Sequence, residues 1–174
     1  MHKKQIGNCI MEKHLEDLME SYFQEKDISK RNTILKQLLL DVPVNSKEFF
    51  LKVFKRERYL DMKLSTVRGY AVHATEAEVS VLMDKLLKLL KKRPEKTPYN
   101  YTEYEPMRSV FLMPYLLERY DYECFRIFDA QLEKQYDDMP DCFKNIYTLD
   151  ERGNVCPIRD KKDVEKSWRE FWGR

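Results

Sequence analysis

The chain has 174 residues, which suits one domain with a core large enough to need no covalent staples. Charged residues make up 36%, which suggests long helices with solvated faces, while 13% aromatics argue against a disordered chain and only 4 glycines against a turn-rich β architecture. The net charge of +2 is unevenly spread: residues 1–100 hold 20 Lys/Arg against 14 Asp/Glu, whereas residues 101–174 hold 12 against 16. The basic half could draw an anionic partner.

A first helix is predicted over about 9–25, where Met11, Leu15, Leu18, Met19 and Tyr22 form one apolar stripe. Asp27 or Ser29 caps a second helix to Leu40 that turns Ile34, Leu35, Leu38 and Leu39 inward. Val42-Pro43-Val44 stops it, because proline cannot extend the hydrogen-bond ladder. Asn45 with Glu48 reads as the cap of a third helix burying Phe49, Phe50, Val53 and Phe54.

A fourth helix over about 58–73 carries Leu60, Leu64, Val67 and Ala71 on one face. Gly69 inside it costs about 1 kcal/mol of helix propensity, so a neighbouring helix is expected to approach closely there. Thr75-Glu76-Ala77-Glu78 is a capping box opening a fifth helix with Val79, Leu82, Met83, Leu86 and Leu90 inside. Its last turns are rich in cations, which complement the helix dipole.

Residues 94–104 read as a loop with Pro94, Pro98, Tyr99 and Tyr101. A sixth helix over about 105–119 is expected to kink at Pro114. Asp121 is expected to open a seventh, to about Asp137, burying Cys124, Ile127, Phe128 and Leu132. Ile146–Leu149 and Val155–Ile158 flank Asp150-Glu151-Arg152-Gly153-Asn154 as a short hairpin. A last helix aligns Val164, Trp168, Phe171 and Trp172, and Trp168 is expected to pack inward.

Successive helix pairs can be laid over one another. An offset of 32 brings Lys36 onto Arg68, Leu35 onto Val67, Phe49 onto Val81, Phe50 onto Leu82 and Phe54 onto Leu86. An offset of 45 brings Met62 onto Met107, Val67 onto Leu112, Tyr70 onto Tyr115 and Leu87 onto Leu132. With Val67-Arg68-Gly69-Tyr70-Ala71 and Pro114 in a pair's first helix, residues 28–137 resemble HEAT-like α-helical repeats. That resemblance implies an all-α fold of stacked antiparallel helix pairs (α-α superhelix), with a C-terminal extension over 138–174 that carries the hairpin and terminal helix. It also implies an extended groove for binding other proteins. Some HEAT-like proteins are DNA glycosylases for alkylated bases, with basic concave surfaces.

No residue pattern points to catalysis, a metal or a cofactor. His2, His14 and His73 share no ligand spacing, no glycine-rich phosphate loop is present, and Cys9, Cys124, Cys142 and Cys156 form no CxxC. The cysteines read as reduced thiols. With no signal peptide and no apolar stretch of membrane-spanning length, the expected location is cytoplasmic, away from membranes. The sharpest functional candidate is basic. Lys85, Lys88 and Lys92 share a helix face, Arg93 follows, and Lys36 and Arg68 occupy matching repeat positions. The leading expectation is a non-enzymatic module that binds another protein. The alternative is a nucleic-acid-binding protein, with base repair as its extension, if these cations converge on one concave surface.

Overall fold

The computed structural model describes residues 2–93, 103–108, 112–141, 144–152 and 155–172, and the side chains of 2–11, 149, 155, 161, 164, 167, 168, 171 and 172 are outside that description. It is all-α with a small C-terminal hairpin. The described helices are α1 (His2–Gln24), α2 (Ile28–Leu40), α3 (Lys47–Arg56), α4 (Leu60–Ala71), α5 (Glu76–Lys92), α6 (Tyr104–Arg108), α7 (Met113–Tyr120), α8 (Glu123–Asp137) and α9 (Lys161–Trp172). Strands β1 (Tyr147–Leu149) and β2 (Val155–Pro157) pair antiparallel, Leu149 opposite Val155. The inward packing expected of Trp168 falls outside the described side chains.

Local signals explain several helix ends. The Asp27 carboxylate accepts the Lys30 N–H at 2.9 Å and starts α2. At α5 the capping box is complete: the Thr75 hydroxyl accepts the Glu78 N–H, and the Glu78 carboxylate accepts the Thr75 N–H. Three expectations change. The cap of α3 is Ser46 rather than Asn45, and its hydroxyl turns away to donate to the Pro43 carbonyl at 2.6 Å, closing the turn after α2. Pro114 sits in the first turn of α7, where its missing N–H costs nothing, so it starts a helix rather than kinking one. Asp121 closes α7 instead of opening the next helix. It adopts a left-handed φ of 50°, its N–H bonds the Leu117 carbonyl, and Tyr122 becomes the cap of α8.

The core centres on α4, which packs against α2, α3, α5 and α6. Nine of its residues are buried, including Met62, Lys63 and Thr66 beyond the predicted face. A helix wrapped on most sides has lost its polar face to neighbours. Gly69 is the close approach expected there: a Cβ would run into the Phe50 ring of α3. α3 lies chiefly on α4, its neighbour through the turn at 57–59. α5 covers another side with its whole predicted stripe buried. α8 closes over α5, α6 and α7 with Phe125, Phe128 and Leu132. Ile127, expected inside, is half exposed, and Cys124 is only half-buried. The stripe is rotated because Phe125 stacks on Tyr122, ring centroids 5.5 Å apart, and enters the core in its place.

Candidate functional site

The tight packing of α5 on α4 leaves Lys85, Lys88 and Lys92 exposed along one edge. α3 flanks that edge. The Lys47 ammonium and the Glu78 carboxylate, 2.6 Å apart, tie the beginnings of α3 and α5 together. Between these helices runs an open groove of about 330 Å³. α3 contributes Leu51, Phe54 and Lys55, α4 contributes Lys63, and α5 contributes Leu82, Lys85, Lys88, Leu89 and Lys92. The trough is carbon and the rim is ammonium. No acid lines it, and none of its five lysines makes an ion pair with a described carboxylate.

Lys63 is the buried member. Its ammonium donates to the Phe54 carbonyl in the last turn of α3 and sits 4.5 Å above the Phe54 ring. A cation there satisfies an orphan carbonyl and meets the negative end of the helix dipole. Burial pushes its pKa down, and the field of Glu57 restores only part of the loss.

The six cations singled out in the sequence therefore separate. Lys85, Lys88 and Lys92 come together on the groove. The Arg68 guanidinium lies 3.9 Å over the Tyr115 ring, half-buried between α4 and α7. Arg93 donates to the Arg58 carbonyl at 3.0 Å and pairs with Glu103 at 3.2 Å, holding the end of α5 to the start of α4. Lys36 is exposed on α2, where its field reaches Asp61. Lys96, Tyr99 and Tyr101 lie outside the described residues. Lys55 and Lys63 are the members that sequence reasoning missed. Lys55 stands one helical turn after Leu51, beside the aromatic stripe of α3, a weak but readable signal. Lys63 had none, because its role depends on a carbonyl of another helix.

Two buried carboxylates look chemical and are structural. Glu57, 3% exposed, accepts the Tyr22 hydroxyl at 2.6 Å and two Arg31 N–H groups at 2.8 and 3.2 Å. Burial pushes its carboxyl up, but these donors outweigh burial and hold it below the ordinary value. Every partner is used in joining α1, α2 and α3. Glu103, also 3% exposed, accepts the Leu60 N–H at 2.5 Å, and burial pushes its pKa up to about 7 against Leu60 and Arg93. Neither lines the α3–α5 groove. The Cys124 thiol is pushed up by burial, away from the reactive thiolate. Among the described residues, no three His, Cys, Asp or Glu gather where they could hold a metal ion, and no helix is long and apolar enough to cross a membrane.

No protein-family model, curated protein or solved structure matches the chain.

Proposed function

We propose that the chain is a non-enzymatic protein-interaction module of the HEAT-like kind, and that the α3–α5 groove is where it takes a partner. One observation carries this reading: four exposed lysines without a described acidic partner, Lys55, Lys85, Lys88 and Lys92, border a carbon-lined trough. Such a site rewards a ligand that is both apolar and anionic. Surface lysines needed only for solubility would have no reason to border a groove. Cys124 and Cys156 are free, which suits a reducing, cytoplasmic setting.

The convergence of Lys85, Lys88 and Lys92 favours a second reading, nucleic acid, since three ammonium groups on one edge match successive phosphates. Against it, the trough offers aliphatic side chains and a Phe54 only 4% exposed, so bases find no stacking platform there. Arg68 and Arg93 are drawn into contacts with Tyr115 and Glu103.

The test is a photo-crosslinking amino acid in place of Leu89, which is 39% exposed at the groove edge. Adducts formed in the native cell extract are digested with protease or with nuclease. The expected result is a protease-sensitive adduct that disappears in Lys85→Glu/Lys88→Glu/Lys92→Glu. A nuclease-sensitive adduct with the same dependence would replace the protein reading with the nucleic-acid one.

A further inference from the structure

We infer that the groove's occupant is an acidic, amphipathic α-helix of a partner protein, lying along α5 with apolar side chains in the trough and carboxylates over Lys85, Lys88 and Lys92. This rests on the protein-binding reading above and names the chemistry of the partner.

The recognition modes open to a peptide can be sorted against the groove. Strand addition needs an unpaired backbone edge, and the walls here are helices whose backbone groups are already spent on their own ladders. A polyproline segment needs exposed aromatic rings, and Phe54, the aromatic residue of the lining, is buried beneath Lys63. A helix laid in a groove needs an apolar floor for its anchors and a rim of matching period, and the groove has Leu51 and Leu89 for the first and its α5 lysines for the second. Lys85, Lys88 and Lys92 follow one another at three and four residues along α5. They span about 10 Å at 1.5 Å per residue. A neighbouring helix with acids at i, i+3 and i+7 repeats that spacing without distortion. Val81, half exposed and one turn before Lys85, continues the same face with an apolar contact.

Charge decides the sign of the partner. Lys55 across the groove adds to the three on α5, and no acidic side chain lines the site. The empty groove carries the mutual repulsion of its own lysines. An acidic helix relieves it, a basic or neutral helix does not, and a polyanion without apolar groups leaves the trough wet.

The experiment is fluorescence anisotropy of the full chain with four labelled probes at low salt. The first is a designed helical peptide with a leucine stripe flanked by glutamates. The second has the same composition scrambled. The third carries lysines for the glutamates, and the fourth is a single-stranded DNA of equal charge. The first should bind at least about tenfold more tightly than the others. Lys85→Glu/Lys88→Glu/Lys92→Glu should lose about that factor for the glutamate peptide and gain affinity for the lysine peptide, a swap that a merely misfolded variant cannot produce. Equal binding of the scrambled peptide or the DNA, or no charge swap, would overturn the acidic-helix assignment. If the glutamate peptide fails while the Leu89 cross-link still yields a protease-sensitive adduct, the acidic chemistry falls and the protein-binding reading stands. If both fail, both fall.

Discussion

The protein's cations divide into two populations that a sequence writes in nearly the same letters. Around the Glu57 and Glu103 nodes, Arg31 and Arg93 each face a buried carboxylate, and Arg56 closes the end of α1 by donating to the Tyr22 and Glu25 carbonyls at 3.0 Å each. Along the α3–α5 groove, Lys55, Lys85, Lys88 and Lys92 meet no described carboxylate. The planar guanidinium, with its fork of donors, is suited to fixed, desolvated pairing, while the ammonium stays hydrated and adaptable. Arg31, Arg56 and Arg93 belong to the fold, and Lys55, Lys85, Lys88 and Lys92 to what the fold presents.

The contrast is sharpest at Glu57. Glu57→Ala strands the Tyr22 hydroxyl and the half-buried Arg31 charge together, and should cost about 3 kcal/mol in urea unfolding. A loss below about 1 kcal/mol would mean that the node is not what holds α1 and α2 to α3. Glu103 gives the pH signature of the second node. Its carboxyl is raised from 4.5 to about 7, so the folded state takes up a proton that the unfolded state does not hold between these values. Its contribution is therefore greatest at the acid end and is lost as pH rises through 7. Burial pushes Asp61 in the same direction. Stability should fall by about 1–3 kcal/mol between pH 5 and pH 8, and Glu103→Gln should flatten that slope. A wild-type profile rising across this window would contradict the assignment.

Smaller effects probe the scaffold under the groove. Gly69→Ala gains helix propensity but drives a methyl into the buried Phe50 ring, and the clash should win by about 2 kcal/mol. A stabilised variant would show that α3 can slide on α4. Thr75→Ala should cost about 1 kcal/mol through the broken capping box, visible as a lower thermal midpoint.

What the sequence made legible follows from how local each signal is. The start of α5 and its buried stripe were readable because a capping box and a helical period are complete within a few turns. α4 was half readable: Leu60, Leu64, Val67 and Ala71 are inside, but so are Met62, Lys63 and Thr66, because neighbours from both directions along the chain enclose it. Asp121 misled because aspartate suits both an N-cap and a left-handed residue, and only the chain path selects between them. The site was legible along one helix and no further. Lys85, Lys88 and Lys92 share a face by spacing alone. That Arg93 belongs with Glu103 is decided between helices and leaves no mark in spacing, and the spacing of Lys55 after Leu51 marks its face on α3 but not its meeting with Lys85. Phe125 displaced Ile127 for the same reason: an aromatic partner across a turn outweighed a plain hydrophobic count.

The division between holding cations and presented cations is tested most directly by the urea unfolding midpoint of Lys85→Ala/Lys88→Ala/Lys92→Ala, measured beside wild type at low salt. These lysines make no described ion pair and repel one another, so the variant should unfold within about 0.5 kcal/mol of wild type or be slightly more stable. A loss approaching that of Glu57→Ala would place the three lysines in the fold and leave the groove without a reason to be basic.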